Sequence, residues 1–453
     1  MARLGDHAVV IGGSIAGLTT ARVLSDHFAQ VTVLERDHIE DRPHVHKSIP
    51  QGNHVHTLLL GGKLVLGSLF PGFDDELQRM GAVPGGTQDM VFYHPAGKSY
   101  SPSGTVKEPR DYGWTTHTQS RGLLEHCVRH FALKIPNVRF ESDTNVRELI
   151  HDRGRVHGVR CERAGATTSL EADLVVDAGG RGSQALGWFT ELGFQRPPET
   201  VIGCDFAYSS TKLRIPGFDG EPEHRLFFLG APPDYPQASL MWKIEDDLWH
   251  ISHGGRFGDY PPGDWDGFLA FARSLWTPRL HEILTGAEKV SDIIQHRFPT
   301  SIWRHYESLP AYPERLLLLG DAICSFNPVY GQGMSSAALQ INELNKLLSA
   351  HAAASAGLDH LAAEFFPKAA QVIQSPWSLA GALDLAFPQT KGERPPDFAE
   401  STAYFGALDA LTADDFEIGC LVTQVFQLAK PITVLQEEPL RSRVIAKMRS
   451  ISS

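Results

Sequence analysis

A glycine-rich segment near the start of the chain has the residue types that a dinucleotide phosphate requires. Small residues permit a tight turn and let backbone N–H groups approach a pyrophosphate, and the next helix points its N-terminus at the negative charge. Glu35 lies eighteen residues after the segment, where a carboxylate can accept hydrogen bonds from a ribose diol. The residues of the segment are Gly12, Gly13, Ser14, Ile15, Ala16 and Gly17.

The flanking sequence predicts the elements that hold this segment. Residues 8–11 and 31–34 are short apolar runs typical of buried parallel strands, and residues 18–25 between them are predicted to be helical. Together they form a βαβ unit of the length expected for a dinucleotide site. Ser14 replaces the middle glycine of the usual G-x-G-x-x-G pattern, so a glycine turn in another kind of α/β protein stays open. An acid at Glu35 favours an unphosphorylated ribose, as in FAD or NAD.

Two later segments repeat the pattern of a buried strand that ends in a glycine turn. In the first, a strand at residues 174–176 runs into the sequence DAGGRGS. In the second, four leucines precede Gly320 and Asp321, and the GQG sequence at residues 331–333 opens a helix predicted to reach about Ser349.

The three segments together resemble the flavoprotein aromatic hydroxylase superfamily, the single-component FAD monooxygenases. They read GGSIAGL, LVVDAGGRGS and GDAICSFNPVYGQGMSSA, in the order and approximate spacing of that family. The resemblance implies that Asp321 contacts the ribityl chain of FAD and that Arg121, at a later helix start, lies near the cofactor. It also implies that the helix after the GQG sequence points its N-terminus at the flavin pyrimidine, where reduced flavin carries negative charge.

The resemblance assigns further residues to the cofactor, whereas no side chain is predicted to be catalytic beside the flavin itself. Residues expected to pass close to the flavin ring are Pro328, Gly331, Gln332, Gly333 and Met334. Residues expected elsewhere along FAD are Arg36, Lys47 and Gly180. The family usually has an Asp, associated with FAD and NAD(P)H binding, where this chain has Gly179. The electron donor therefore stays open between directly bound NAD(P)H and a separate flavin reductase.

Within the superfamily, the chain is similar to a branch of actinobacterial-type secondary-metabolite enzymes that includes the polyene epoxidases of polyether-antibiotic pathways. The similarity covers roughly residues 5–350 and is carried by Arg121 and by residues 49–56, 180–183 and 326–331.

Two H-x-H pairs lie in and before this branch motif, and their role stays open. They are His44 with His46 and His54 with His56. Imidazole is a common metal ligand, but no carboxylate or cysteine set completes a recognisable site, so no metal is predicted. A loop that folds over the flavin, with Lys47 near the cofactor, is the favoured interpretation.

The fold class predicted from these patterns is α/β, a Rossmann-like FAD-binding domain with an inserted antiparallel β-sheet substrate domain and C-terminal helices. Strand-like runs at residues 203–208, 225–229, 238–244 and 248–252 are separated by turns. Aromatic candidates to line a pocket against the flavin, although such residues more often belong to the core, are Phe206, Tyr208, Trp242 and Trp249. The predicted ranges are 1–80, 111–190 and 291–357 for the FAD-binding domain, 81–110 and 191–290 for the substrate domain, and 358–453 for the C-terminal helices.

Bulk properties narrow the class of partner. A net charge of -12 argues against nucleic acid and against simple docking on anionic lipid. Five scattered cysteines without a CxxC pair are typical of reduced thiols in a cytoplasmic protein. No apolar run approaches the roughly 18 residues of a spanning helix, so no membrane span is predicted. The oligomeric state stays open.

The function that the resemblance implies is monooxygenation, in which a flavin C4a-hydroperoxide transfers oxygen to an apolar small-molecule substrate. An isolated alkene has no proton to remove, whereas a phenol hydroxylase usually benefits from a base. Because the sequence offers no base, polyene epoxidation is favoured over aromatic hydroxylation. Flavin-dependent halogenation is less favoured, because its W-x-W-x-I-P signature is matched only poorly by the WKIE sequence at residues 242–245. A non-catalytic flavin-binding protein is the alternative outside enzymes.

Overall fold

A computed structural model of the chain describes residues 3–95, 97–98, 109–220 and 224–452. The predicted substrate segments 81–110 and 191–290 therefore lie partly outside the described residues.

Within the described residues, the strands in chain order are β1 Gly5–Ile11, β2 Phe28–Leu34, β3 Val83–Gly86, β4 Met90–His94, β5 Gly97–Lys98, β6 Thr115–Thr118, β7 Val138–Glu141, β8 Thr144–Asp152, β9 Arg155–Arg163, β10 Ala166–Glu171, β11 Leu174–Asp177, β12 Glu199–Ile202, β13 Phe206–Arg214, β14 Arg225–Phe228, β15 Ala238–Ile244, β16 Leu248–Arg256, β17 Glu288–Lys289, β18 Ile294–Phe298, β19 Ser301–Arg304, β20 Leu316–Leu318 and β21 Cys324–Ser325.

Helices lie between strands in the first third of the chain, and helices fill its last quarter. In the same described residues, the α-helices are α1 Ile15–Leu24, α2 Leu60–Leu69, α3 Phe73–Arg79, α4 Arg121–Leu133, α5 Ala185–Glu191, α6 Trp265–Ser274, α7 Arg279–Leu284, α8 Gly333–Ala354, α9 Leu361–Leu385, α10 Phe398–Asp414, α11 Phe416–Phe426 and α12 Leu440–Ser452.

A five-stranded parallel sheet forms the centre of the fold, in the order β20-β11-β1-β2-β7. Strands β1, β2, β11 and β20 contain short buried runs rich in Val and Leu, as in parallel sheets that are covered by helices on either side. Parallel strands end at one edge, so the residues after β1, β2, β11 and β20 meet there. The three sequence segments that resemble the flavin motifs therefore converge on one edge of the sheet.

A second sheet has eight strands in the order β17-β13-β16-β15-β14-β4-β5, with β18 also paired to β13. Its pairs are antiparallel except for β4 with β14. One face packs on α6 and α7 through a separate apolar core. This mixed α/β architecture is the predicted fold class, which is confirmed.

The strand pairing also bears on where a division into domains would fall. Strand β18 pairs with β13 in the eight-stranded sheet, although the sequence assigns residues 291–357 to the FAD-binding domain. Strand β12 pairs instead with β19, and β19 with β21, in a small separate sheet. Chain position alone does not reveal such pairings, because each residue of β18 lies 84 or more residues after its partner in β13. The division into domains stays a prediction.

The last quarter of the chain is helical, as the sequence predicts. Helix α9 packs along α8, and α10 packs on α11 and α12 around a third apolar core that also takes Leu59 from the start of the chain. None of the helices in the described part of the chain is both long and apolar enough to cross a membrane.

Candidate active site

The turn after β1 presents backbone donors at the start of α1. Gly12 has φ +98°, a conformation that favours glycine, and a Cβ on Gly17 would lie 1.8 Å from the Gly12 carbonyl oxygen. The first intrahelical hydrogen bond runs from Leu18 N to Ser14 O. The N–H groups of the intervening residues at 15–17 therefore precede the helical ladder and are available to an anion.

Glu35 lies at the end of β2, directly beside this turn. Its carboxylate accepts the N–H of Gly13 at 2.7 Å and the N–H of Asp37 at 2.9 Å, and the residue is only 4% exposed. The predicted carboxylate and glycine turn are thus brought together. Arg36 and Lys47, in contrast, are exposed and make no hydrogen bond or ion pair with any described residue.

A buried carboxylate that the sequence analysis missed connects the turn to α4. Glu125 Oε2 accepts the Ser14 hydroxyl at 2.6 Å and Arg121 Nη2 at 3.2 Å, and Arg121 Nη2 also donates to Ser14 Oγ at 2.8 Å. His46 Nε2 lies 2.5 Å from Glu125 Oε1. Burial raises the pKa of Glu125, but His46 and Arg121 outweigh it and bring the pKa to about 2. An ionised Glu125 therefore fixes Arg121 against the turn.

His46 also lies near two carboxylates. Potential ligand atoms of Glu35, Asp37 and His46 all lie within 4.8 Å of one another. Each Glu35 oxygen already accepts a backbone N–H group, so the carboxylate stabilises the turn. Its oxygens are therefore not free to act as metal ligands. We therefore assign no metal to this group.

A second helix N-terminus faces the same region. Gly331 has φ +66°, and a Cβ there would lie 2.8 Å from the Thr57 methyl group. The first hydrogen bond at the start of α8 runs from Ser336 N to Gln332 O, so the N–H groups at residues 333–335 precede the ladder. Gln332 is buried, and its Oε1 has no hydrogen-bond partner among the described residues. Pro328 begins the one-turn 3-10 helix Pro328–Tyr330 that precedes this start.

Asp321 lies between the two helix starts. A Cβ on Gly333 would lie 3.7 Å from Asp321 Oδ1, and a Cβ on Gly320 would lie 3.7 Å from the Ala16 Cβ. Burial raises the pKa of Asp321, and Arg181 and Arg121 oppose that rise. No described residue forms a hydrogen bond with its carboxylate. The turn at the start of α1, Asp321 and the start of α8 therefore form one continuous surface.

The third glycine turn lies beside this surface. Gly180 has φ +71°, so its conformation favours glycine although nothing lies within 4 Å of a Cβ there. Asp177, at the end of β11, accepts the N–H of Gly179 at 2.7 Å and the hydroxyl of Ser183 at 2.5 Å. Asp177 thus stabilises the turn through its carboxylate. Gly179 occupies the position where the flavoprotein hydroxylase family usually has an Asp.

One face of the eight-stranded sheet, which we call the site face, looks onto the loop before α8. Phe206 and Tyr208 belong to a buried cluster against which Val329 of that loop packs. By strand register Trp242 lies on the same face, opposite His250, which is itself paired with Lys212. Trp249 lies on the other face, in the core with α6 and α7. Strand alternation therefore separates the four predicted aromatic residues into three on the site face and one in the core.

A buried ionic network, also missed by the sequence analysis, joins the loop before α8 to the sheet and to α9. Asp384 Oδ1 lies 2.7 Å from Arg256 Nη1, and it accepts the Tyr330 hydroxyl at 2.6 Å and Asn327 Nδ2 at 3.0 Å. The Arg256 and Asp384 side chains are 6% and 1% exposed. Burial would lower the pKa of Arg256, but Tyr330 and Asp384 raise it. The network fixes the loop that carries Pro328.

Comparison with known proteins identifies the family to which the chain belongs. No protein-family model matches the chain. Protein Rv3254 of Mycobacterium tuberculosis is 34% identical over 405 residues, which are 86% of this chain and 82% of that protein. A kynurenine 3-monooxygenase of Salinispora arenicola is 27% identical over 367 residues, which are 78% of this chain and 74% of that enzyme. The chain belongs to the FAD-dependent aromatic hydroxylase and monooxygenase family.

A solved structure extends the comparison to the fold. The flavin-dependent brominase Bmp2 matches with a TM-score of 0.68 at 14% identity, over 99% of this chain and 98% of that one. At this identity the likeness shows the shared fold alone. Membership of the FAD-dependent family confirms the predicted flavin-dependent oxidoreductase and its cofactors, FAD with O₂ and NAD(P)H. The similarity to the polyether branch stays a prediction.

Proposed function

We propose that this enzyme inserts one oxygen atom of O₂ into a small unsaturated molecule, with epoxidation of a conjugated alkene favoured over hydroxylation of an aromatic ring. Bound FAD, once reduced, supplies the activated oxygen. The residues of the chain bind and orient FAD and substrate and keep water away from the reacting atoms. A small apolar substrate fits the site face, where Phe206, Tyr208 and Trp242 lie.

The weak basicity of the buried histidines near the site face supports epoxidation. Burial lowers the pKa of His54 to about 2 and that of His250 to about 3, and burial with Arg121 lowers the pKa of His56 to about 4. Such imidazoles are neutral at pH 7 and are poor bases for a phenol proton. An alkene needs no base, so this observation carries the preference for epoxidation.

The surface at the sheet edge has the chemistry that FAD requires, and this supports the cofactor residues inferred from the sequence. The free N–H groups at the start of α1 suit the pyrophosphate, Glu35 suits the ribose, and the start of α8 suits the flavin pyrimidine. Asp321, which has no hydrogen-bond partner in the described residues, suits the ribityl hydroxyls. The proposed FAD ligands are Gly12, Gly13, Ser14, Ile15, Ala16, Gly17, Glu35, Arg36, Lys47, Arg121, Gly180, Asp321, Gly331, Gly333 and Met334.

Halogenation is a second candidate because the fold also matches a flavin-dependent brominase. The WKIE sequence that matches the halogenase signature poorly spans the end of β15 and the residue after it, within the site face sheet. Aromatic hydroxylation uses the same cofactor and differs only in substrate. Gly179 in place of the usual Asp supports a further proposal, that electrons from NAD(P)H reach FAD through a separate reductase.

Isotope labelling tests the proposed reaction directly. The purified, FAD-loaded enzyme is incubated with candidate polyenes and aromatic compounds under ¹⁸O₂, with NAD(P)H alone and with NAD(P)H plus a flavin reductase. We expect a product that is heavier by one ¹⁸O atom, together with substrate-stimulated oxygen consumption. Product formation that is unchanged without oxygen would refute monooxygenation. A product that contains bromine or chlorine when bromide or chloride is added would favour halogenation instead.

Substitution of Asp321 tests the proposed cofactor site. Asp321→Ala removes the carboxylate that lies between the two helix starts, so the variant is expected to retain less FAD after purification and to bind it at least about tenfold more weakly. Equilibrium titration with FAD, followed by flavin fluorescence, measures the change. Asp414→Ala at the exposed C-terminal end of α10 is the matched control. A fully loaded Asp321→Ala protein with unchanged affinity would count against the assignment.

A further inference from the structure

A chain of hydrogen-bonded polar side chains crosses the site face beside Tyr208. Ser210 of β13 and Ser252 of β16 are directly paired in register, and their hydroxyl oxygens lie 2.5 Å apart. His54, from the loop before α2, places Nδ1 2.7 Å from Ser210 Oγ. The ring of His54 lies 4.0 Å from that of Tyr208, edge to face. His54 is 2% exposed, so this polar chain is enclosed by protein.

His54 and Tyr208 lie next to the loop that is proposed to contact the flavin ring. Val329 of that loop packs on the cluster that contains Tyr208. Three residues after His54, the methyl group of Thr57 lies 2.8 Å from the position of a Cβ on Gly331. His54 and Tyr208 therefore lie close to the loop that is proposed to contact the flavin ring.

The hydrogen bonds among Ser252, Ser210 and His54 determine which nitrogen of His54 carries the proton. Val55 N–H donates to Ser252 Oγ at 3.0 Å, so that oxygen already accepts one bond. If Ser252 donates to Ser210, and Ser210 donates to His54 Nδ1, both serine protons are used. In the reverse order the Ser252 proton has no acceptor among the described residues. The neutral imidazole therefore carries its proton on Nε2.

The Nε2–H group of His54 is then a buried donor without a partner. Burial, followed by the neighbouring His56 and His296, lowers the pKa of His54 to about 2, so the ring is neutral at pH 7. Its Nε2 is buried and has no hydrogen-bond partner among the described residues. The Tyr208 hydroxyl also forms no hydrogen bond with any described residue, but unlike His54 Nε2 it is not fully enclosed. A buried donor left unpaired costs stability unless a ligand pairs with it. This buried donor, beside the unpaired hydroxyl of a ring 4.0 Å away, indicates an acceptor that arrives with the substrate.

We propose that the Nε2–H group of His54, together with the Tyr208 hydroxyl, recognises a carbonyl oxygen on the substrate. This inference rests on the proposed function and narrows it, because the substrate would be an unsaturated molecule that carries a carbonyl group rather than a plain hydrocarbon. His54 acts here as a specificity-determining donor and removes no proton. A carbonyl oxygen held at His54 would fix the orientation of the substrate on the site face.

Two inert probes of similar size test the recognition of oxygen. We compare 2-acetylnaphthalene with 2-isopropylnaphthalene, in which a methyl group replaces the carbonyl oxygen. Binding to the oxidised, FAD-loaded enzyme is followed by the change in flavin absorption. We expect the ketone to bind about tenfold more tightly, because one hydrogen bond to a buried donor distinguishes the two. Equal affinities, or no binding of either probe, would overturn the proposal.

Variants of His54 assign the preference to its Nε2. His54→Leu removes the donor and is expected to abolish the preference for the ketone, whereas His54→Gln keeps an N–H donor at that reach and is expected to restore part of it. Tyr208→Phe keeps the ring and is expected to reduce the preference, which provides a second test if His54→Leu does not fold. A preference that persists unchanged in both His54→Leu and Tyr208→Phe would refute the assignment.

The tautomer is measured without any substrate. In enzyme labelled with ¹⁵N-histidine, comparison with His54→Gln assigns the His54 signals, and two-bond correlation spectra identify the protonated nitrogen. We expect the proton on Nε2, and a proton on Nδ1 would overturn the argument. These measurements are independent of turnover, so a failure of ¹⁸O incorporation with an intact ketone preference would refute the proposed function and leave this inference standing.

Discussion

Lowering the pH from 7.5 to 5.5 is expected to destabilise the protein steeply through three buried histidines. His54, His250 and His253 are at most 2% exposed, and burial lowers their pKa values to about 2, about 3 and about 3. In an unfolded chain a histidine titrates near 6.5, so the unfolded state binds protons that the folded state excludes. The stability that the neutral rings contribute is therefore complete above pH 6.5 and is lost as the pH falls from 6.5 towards the folded-state values.

The expected loss is large on the scale of protein stability. Each of the three rings changes the free energy of unfolding by about 1.4 kcal/mol per pH unit below 6.5. At pH 5.5 the three together amount to about 4 kcal/mol, against the roughly 5–15 kcal/mol that typically separates folded from unfolded protein. Acidification to pH 5.5 should therefore lower the melting temperature well before the carboxylates titrate.

Thermal unfolding at constant ionic strength, followed by tryptophan fluorescence between pH 7.5 and 5.5, measures this effect. His253 lies on the core face of the sheet, where Nδ1 is 2.7 Å from Ser239 Oγ, and His253→Asn keeps a polar group there that does not titrate. This variant should lose about a third of the pH dependence. His38→Asn, at an exposed histidine whose pKa is raised by Asp143, is the control. A melting temperature that stays constant down to pH 5.5, or an unchanged slope in His253→Asn, would refute the reasoning.

Three further substitutions address the surfaces around the flavin site. Asp384→Asn leaves Arg256 buried without its ion partner and should cost about 3 kcal/mol or more, visible as a lower melting temperature. Glu125→Gln removes the charge that fixes the helix-start arginine, and FAD titration should show binding about tenfold weaker. Gly17→Ala places a methyl group 1.8 Å from the Gly12 carbonyl oxygen, so the purified protein should be unstable and colourless.

Each of these substitutions has a matched comparison. Because a whole buried pair is cheaper to replace than to break, Arg256→Met with Asp384→Leu should melt above Asp384→Asn, and a lower value would contradict the ionic account. Glu148→Gln, at an exposed glutamate, should leave FAD affinity unchanged; if Glu125→Gln behaves the same way, the buried carboxylate does not position the cofactor site. Gly67→Ala, whose Cβ meets nothing within 4 Å, should fold normally, and a similarly normal Gly17→Ala protein would contradict the close approach.

The elements that carry the flavin motifs could be predicted because their signals are local. Each is a short apolar run followed by glycine, and parallel strands bring such runs to one edge of a sheet. Thus Gly13 donates to Glu35, and Gly320 lies beside Ala16, although these residues are distant in sequence. Two of these strands begin earlier than the apolar runs at residues 8–11 and 31–34 indicate. Strand β1 begins at Gly5, and strand β2 begins at Phe28. Hydrogen bonding continues beyond the apolar residues, which the pattern of hydrophobicity does not register.

The ionic groups of the site could not be predicted in the same way. Glu125 lies four residues after Arg121 on one helix, a spacing that is equally typical of an exposed surface pair, and only packing shows that it is buried. Arg256 and Asp384 lie 128 residues apart and belong to no local pattern. The exclusion of Trp249 from the site face depends on strand parity, which is readable from sequence only after one residue of the strand has been placed.

The bond between Asp384 and the loop at residues 327–330 has a consequence for how this chain can be altered. The anchor of a loop proposed to touch the flavin comes from α9, more than fifty residues further along the chain, so the reaction centre is braced by a region that carries none of the recognised motifs. A shortened version that stops after α8 would retain every motif and lose that brace. Homologues that lack Asp384 in α9 should therefore also differ at Tyr330 and Arg256, because these two residues would otherwise lose their buried partner.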